Sequence, residues 1–145
     1  MFSSDEGRFT ILMPSRPTEK VFDLHTVKND TVVLHGYAAL TPTLGIMCGY
    51  ADIPSLQPDS EKLFDNSRDG TLSSVHGRLL TEEKLGLNGY PGRRFRATSQ
   101  VGLFIDEQMY LVGQRLYLIT ITTATDTPNE NIDRVFNSFR FEPAN

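Results

Sequence analysis

The sequence predicts an α+β fold in which an antiparallel β-sheet is sandwiched between helices, an α/β/α sandwich. Alternating apolar runs are joined by connections of only a few residues, which bring consecutive strands together in antiparallel orientation. One run, RLYLITIT at residues 115–122, is apolar on both of its alternating sides, so the strand needs cover on both faces. Two segments with helical periodicity would supply that cover.

Strand patterns come first along the chain. Phe9, Ile11 and Met13 alternate before a proline, which predicts a short first strand. The runs EKVFDLHTVK and TVVLHGYAAL flank Asn29 and Asp30, a two-residue connection of the hairpin type. The run LGIMCGYADI predicts a fourth strand, again closed by a proline.

The pattern then changes to helical spacing, and a helix is predicted from about Pro58 to His76. Asp59 or Ser60 is placed near its start as the N-cap, and Gly77 is predicted to stop it. The apolar residues that fall near one side at 3.6 residues per turn are Leu63, Phe64, Leu72 and Val75.

Four further strands follow, in the runs RLLTEEKLGL, YPGRRFRAT, LFIDEQMYLV and RLYLITITT. The hairpin dipeptide Asn88-Gly89 joins the first two, and short turns join the others. A second helix is predicted from the capping box between Thr127 and Glu130, with Pro128 at the first helical position. Its apolar positions are Ile132, Val135, Phe136 and Phe139.

Length and composition predict one domain over residues 1–145. Fourteen basic and eighteen acidic side chains leave a net charge of −4, which disfavours a sequence-independent grip on nucleic acid phosphates. No run of about 18 apolar residues is present, so the chain is expected to be peripheral to a membrane at most. Cys48 is the single cysteine and lies in a predicted strand, which is typical of a small buried hydrophobe.

The three histidines of the sequence are candidate ligands for a metal ion. A two-residue hairpin at Asn29 and Asp30 would place His25 opposite Leu34, so His25 and His35 would point to opposite sides of the sheet. Asp23 and His25 lie two residues apart on one face and form a candidate pair of ligands for zinc or calcium. The alternative is a solvated Asp and His on a half-exposed strand.

Basic side chains concentrate at Arg93, Arg94 and Arg96, with Lys84 on the preceding strand. Arginine suits carboxylates, so this group is a candidate surface for an acidic protein partner. Alternation divides it, however, because Arg94 and Arg96 share a face while Arg93 points away. Glu82 and Glu83 are also close enough in sequence to neutralise part of the charge.

Catalytic motifs are absent from the sequence, which has no GxSxG, HExxH or CxxC pattern. Adjacent carboxylates such as Asp106 and Glu107 lie in a strand and so face opposite ways, which does not suit shared acid-base work. The expected protein is therefore not an enzyme.

Five segments follow one another along the chain: the RDG of the first helix (Arg68, Asp69 and Gly70), then GRLL, LNGYPGRRF, YLVGQRLY and the closing FNSFRF. In this order they resemble PsbP-like proteins of cyanobacterial and related bacterial genomes. The resemblance implies an antiparallel sheet between helices, and a location in the thylakoid lumen or periplasm after removal of an export signal, with the cytoplasm as the alternative. It also implies an extrinsic accessory protein that acts through a protein-binding surface, in photosystem II assembly or stabilisation. The competing hypothesis is a carrier domain for a small ligand or a metal ion.

Overall fold

The computed structural model describes residues 1–25, 31–53, 59–124 and 130–142. Within these residues the elements in chain order are β1 (Phe2–Ser4), β2 (Phe9–Ile11), β3 (Thr18–His25), β4 (Thr31–Leu40), β5 (Leu44–Asp52), α1 (Ser60–Ser74), β6 (Arg78–Leu87), β7 (Tyr90–Thr98), β8 (Phe104–Val112), β9 (Arg115–Thr123), α2 (Glu130–Ser138) and β10 (Arg140–Phe141).

Seven of the described strands form one large antiparallel sheet, in the order β3-β4-β5-β9-β8-β7-β6. The three shortest strands form a second sheet in the order β1-β2-β10, which joins the two ends of the chain. Strand β9 lies at the centre of the large sheet, between β5 and β8. The predicted short hairpin connections are thus confirmed for the chain from β6 to β9.

Each face of the large sheet has its own apolar core. On one face, Tyr117, Ile119 and Ile121 of β9 pack with residues of the small sheet and of α2. On the other face, Leu116 and Leu118 belong to a core that includes α1. The prediction that β9 is covered on both faces is confirmed, since all five of these side chains are buried.

The predicted α/β/α sandwich is wrong. The structure is mostly β, with 56% of the described residues in strands and 19% in helices. One face of the large sheet is covered by the small sheet together with α2, whereas the prediction assigned this cover to helices. The alternation of Phe9 and Ile11 predicted β2, but β1 and β10 were missed because they are only three and two residues long and come from opposite ends of the chain.

The first helix begins at the predicted position, but its end is not formed in the predicted way by Gly77. The side chain of Asp59 accepts a hydrogen bond from the backbone N–H of Lys62 and is the N-cap. At the other end His76, and not Gly77, has a left-handed backbone, with φ of 49°. Gly77 is needed for space, because a Cβ there would lie 2.6 Å from the carbonyl oxygen of Thr98.

The predicted hairpin at Asn88 and Gly89 is confirmed. Both residues have positive φ, 53° and 85°, which is the requirement of a type I′ turn. In the second helix, Ile132, Val135 and Phe136 are buried as the spacing predicted. Its predicted capping box depends on residues 127 and 128, which lie outside the described residues.

The register between β3 and β4 differs from the prediction. His25 pairs with Thr31, and His35 pairs with Val21, whereas a two-residue turn would have set His25 against Leu34. The predicted register is therefore wrong, whereas the predicted turn at Asn29 and Asp30 is not tested. The connecting residues themselves lie outside the described part of the chain.

Candidate functional site

The predicted metal ligands Asp23 and His25 lie on β3, the outermost strand of the large sheet. Asp23 is exposed and pairs with Val33, while the side chain of His25 lies outside the described part of the structure. Among the described residues, no group of three His, Cys, Asp or Glu side chains is placed to hold a metal ion. The zinc or calcium hypothesis therefore stays a prediction.

The four basic residues predicted to bind a partner do not form one surface. Arg93 and Lys84 are directly opposite each other on β7 and β6, and both interact with Glu61 of α1. Arg94 and Arg96 project from the other face of β7, as the alternation predicted. Arg94 lies over the ring of Phe136 of α2, with 4.9 Å to the ring centroid.

Arg96 occupies a more enclosed position on that second face. Its guanidinium lies over the ring of Phe104 at 5.0 Å, and its Nε is 4.0 Å from Oδ2 of Asp106. Asp106 is buried, so this contact lies inside the protein. The basic concentration seen in the sequence is therefore shared between two faces and several intramolecular contacts.

Arg93 is the centre of a charged network that attaches α1 to the sheet. Its side chain is 6% exposed and donates to Glu61 at 2.6 Å, to Glu82 at 3.2 Å and to Asp65. The hydrogen bond from Arg93 lowers the pKa of Asp65. Arg68 of α1 binds the same Glu82 at 2.8 Å. A shallow pocket of about 250 Å³ beside Arg93 is lined by these internally neutralised groups, so we assign the network a structural role.

Arg93→Met is expected to lower the free energy of unfolding by about 2 kcal/mol, because the carboxylates around Arg93 would lose their cation but keep partial access to water. Urea unfolding at pH 7 measures this change. Arg94→Met on the same strand is the matched control and is expected to cost less than about 1 kcal/mol, since its pair with Asp133 is exposed. Equal losses in the two variants would contradict a special role for Arg93.

A second pocket, of about 330 Å³, lies where the small sheet meets the hairpin tip between β8 and β9; we call it the inter-sheet cleft. Its lining residues come from six segments of the chain and are mostly polar or aromatic. They are Arg8, Asp52, Tyr90, Val112, Gly113, Gln114, Arg115, Tyr117 and Glu142. Small-molecule sites are concave and contain a few convergent polar groups, and this cleft shares both features, with a lining that is more polar than usual.

Arg115 lines the inter-sheet cleft, and its side chain is held in place by several contacts. Its Nε and Nη2 donate to the two carboxylate oxygens of Asp52, at 2.7 and 3.0 Å. Its guanidinium also lies 4.5 Å from the centroid of the Tyr50 ring. The hydrogen bond from Arg115 lowers the pKa of Asp52, and the same pairing raises the pKa of Arg115. These two charges satisfy each other, so neither is available to a ligand without breaking the pair.

The turn between β1 and β2 is held against the cleft by three successive carbonyl groups. The carbonyl of Glu6 accepts from Arg115 at 2.9 Å, that of Gly7 from the Tyr117 hydroxyl at 2.6 Å, and that of Arg8 from the backbone N–H of Glu142 at 2.8 Å. Gly7 allows this close approach, because a Cβ there would lie 2.6 Å from the ring of Phe9. The turn therefore has a defined position relative to the large sheet.

Arg8 has an unusual backbone at the end of this turn. Its φ is 55°, in the left-handed region that non-glycine residues seldom occupy. Within the described residues, neither the Arg8 side chain nor the Glu142 side chain makes a hydrogen bond or an ion pair. The cleft thus contains one cation and one anion that do not neutralise each other.

Two buried carboxyl groups were not predicted by the sequence. Asp106 and Glu107 do face opposite sides of β8, as alternation predicted, but both are also at least 97% buried. Oε1 of Glu107 accepts from Thr120 at 2.9 Å and from Thr71 of α1 at 3.3 Å, whereas Oε2 has no partner among the described residues. Burial raises the pKa of Glu107 to about 7, although the hydrogen bonds from both threonines oppose the shift.

Cys48 is confirmed as a buried residue of the core, with no exposed surface. Burial raises the pKa of its thiol, which disfavours the reactive thiolate. His35 stacks on the ring of Tyr50, with 5.0 Å between the ring centroids, in agreement with a packed histidine. Neither residue lines the inter-sheet cleft.

The fold and the cleft define a class of molecule: a mostly β protein with a small polar cleft between two sheets. No family model matches the sequence, and no curated protein matches it. The resemblance to PsbP-like proteins accordingly stays a prediction. None of the helices in the described residues has the length and apolar character needed to cross a membrane.

Proposed function

We propose that this chain is a non-catalytic accessory protein that binds a protein partner along the free edge of β3. Among the described residues, β3 pairs with β4 on one side only. Its eight residues pair with β4 in a continuous register, without a bulge. The free edge offers a row of unpaired backbone donors and acceptors, and an extended segment of a partner would satisfy them by adding a strand.

Exposed apolar side chains at the centre of this strand support the proposal. Val21 is 58% exposed and Phe22 is 42% exposed, and as successive strand residues they face opposite sides of the sheet. Val33 on the neighbouring β4 is 40% exposed. A partner strand would cover apolar surface on both faces while its backbone pairs with β3.

The opposite edge of the large sheet differs from β3. Strand β6 has an irregular register between Leu79 and Thr81, and Glu82 is bound to Arg68 and Arg93. An irregular register of this kind protects an edge against pairing. Strand β3 also carries charged residues, Glu19, Lys20 and Asp23, but its register with β4 is continuous. The contrast between the two edges is the observation that carries the choice of β3.

The resemblance to PsbP-like proteins supplies the partner to test first, a subunit of photosystem II, in the thylakoid lumen or periplasm. Purified photosystem II core particles are expected to retain the wild-type chain in a co-sedimentation assay. Val21→Lys is expected to weaken this binding by about tenfold or more, because it places a charge where the partner strand would be buried. Leu80→Lys, on the protected edge, is the matched control and is expected to bind as the wild type does.

Two outcomes would contradict the proposal in different ways. Failure of the wild-type chain to associate would remove photosystem II as the partner. Equal losses for Val21→Lys and Leu80→Lys would show that the free edge of β3 is not the binding surface.

A further inference from the structure

We propose that the inter-sheet cleft binds a small zwitterion of the α-amino acid type, with the ligand carboxylate on Arg8 and the ligand ammonium on Glu142. This site is separate from the free edge of β3 and does not depend on the partner proposed above. The charged groups of the cleft support this inference. Arg115 and Asp52 are paired with each other, so the charges that remain are one guanidinium and one carboxylate.

The separation of Arg8 and Glu142 is a consequence of backbone geometry. The two residues are joined by a hydrogen bond between main-chain groups, yet no nitrogen of the Arg8 guanidinium lies within 4.0 Å of the Glu142 carboxylate. A cation and an anion that face one cleft without pairing are complementary to a molecule that carries both charges. A simple anion would satisfy Arg8 and would be repelled by Glu142.

The backbone of Arg8 is held in position before any ligand arrives. The carbonyls of Glu6 and Gly7 accept from β9 and that of Arg8 from the segment after β10, and the N–H of Gly7 donates to the hydroxyl of Ser4 at 3.0 Å. The left-handed backbone at Arg8 is a local strain that these bonds maintain. Preorganisation of this kind lowers the entropic cost of binding.

The remaining lining indicates what the ligand side chain is. Tyr90 packs edge-on against Phe141, with 5.5 Å between ring centroids, and Val112 lies in the same wall. These apolar groups favour an aliphatic or aromatic side chain. A volume of about 330 Å³ is at the lower end for ligand pockets, which suits a molecule of the size of one amino acid.

Isothermal titration calorimetry with L-leucine tests the proposal. Two half-ligands, each with only one of the two charged groups of leucine, test the two contacts separately. Isocaproate has the carboxylate without the ammonium, and isoamylamine has the ammonium without the carboxylate. Leucine is expected to bind with a dissociation constant of about 1 mM or below, and each half-ligand at least about tenfold more weakly. Inorganic phosphate distinguishes a general anion site and is expected not to bind.

Arg8→Gln and Glu142→Gln are each expected to weaken leucine binding by about tenfold or more. The matched controls are Arg16→Gln and Glu19→Gln, both at exposed positions outside the cleft, and they are expected to bind as the wild type does. Urea unfolding of the two cleft variants is expected to be nearly unchanged, since neither side chain makes a hydrogen bond or an ion pair among the described residues and the attraction of Arg8 for Asp52 acts on an exposed carboxylate. Lost binding would then report the site and not the fold.

The proposal is overturned if leucine shows no binding at about 10 mM, ten times the expected dissociation constant. It is also overturned if isocaproate or phosphate binds as tightly as leucine, because Glu142 would then have no part in recognition. The proposal is overturned as well if the cleft variants and their controls lose leucine binding equally.

Discussion

Glu107→Gln is expected to stabilise the protein at pH 8 by up to about 3 kcal/mol and to leave its stability near pH 4 unchanged. Burial raises the pKa of Glu107 from 4.5 to about 7 in the folded protein. Between these two values the folded state holds a proton that the unfolded state has released. The contribution of Glu107 therefore favours folding most below about pH 4.5, declines as the pH rises to about 7, and is constant above it.

Glutamine is a neutral isostere of the protonated carboxyl, so the variant keeps an acceptor for Thr71 and Thr120 and cannot ionise. Urea unfolding of both proteins from pH 4 to pH 8 gives the difference in free energy directly. Other carboxylates titrate alike in the two proteins, so the difference isolates Glu107. Glu83→Gln, which removes one carboxylate at an exposed position on β6, is the matched control for the change in net charge. A difference that stays constant with pH would show that Glu107 does not titrate in this range.

Phe64→Ala is expected to lower the free energy of unfolding by about 3 to 4 kcal/mol. Phe64 has no exposed surface and is the one buried residue among those described in α1. It also lies under the guanidinium of Arg93, with 5.6 Å to the ring centroid. Its loss would leave a cavity between α1 and the sheet and remove the main apolar anchor of the helix, whose leucines Leu63 and Leu72 are only partly buried.

Phe22→Ala is the matched control for this change. Phe22 is 42% exposed on β3, so the same truncation is expected to cost less than about 1 kcal/mol there. Hydrogen exchange provides a second measurement, because the amides of α1 are expected to exchange faster in Phe64→Ala while those of β9 change less. A loss in Phe64→Ala no greater than that in Phe22→Ala would contradict the anchoring role.

The local elements were predictable where one short stretch of sequence contains the whole signal. Asn88 and Gly89 form a type I′ turn because both tolerate positive φ, and that property belongs to the dipeptide itself. Asp59 caps α1 through a hydrogen bond to a residue three positions on. The register between β3 and β4 was not predictable in this way, because it was counted from an assumed turn and the observed pairing of His25 with Thr31 differs.

The candidate sites were less predictable, because burial and pairing depend on segments far apart in the chain. Arg93 was read as part of a basic surface, and it is buried because α1 brings Glu61 and Asp65 against it. Arg8 and Glu142 attracted no notice in the sequence, since 134 positions separate them and neither belongs to a motif. A non-glycine residue with positive φ is visible only in coordinates.

The sequence by itself determined the type of most elements and the side of each strand that faces the core, because hydrophobic periodicity and turn chemistry act between near neighbours. The tertiary structure alone decided the layer that covers the second face, the burial that raises the pKa of Glu107, and the composition of the inter-sheet cleft. Each of these depends on the order of strands in the sheet and on the meeting of the two chain ends. Those are contacts between residues far apart in the chain, and local sequence patterns carry no information about them.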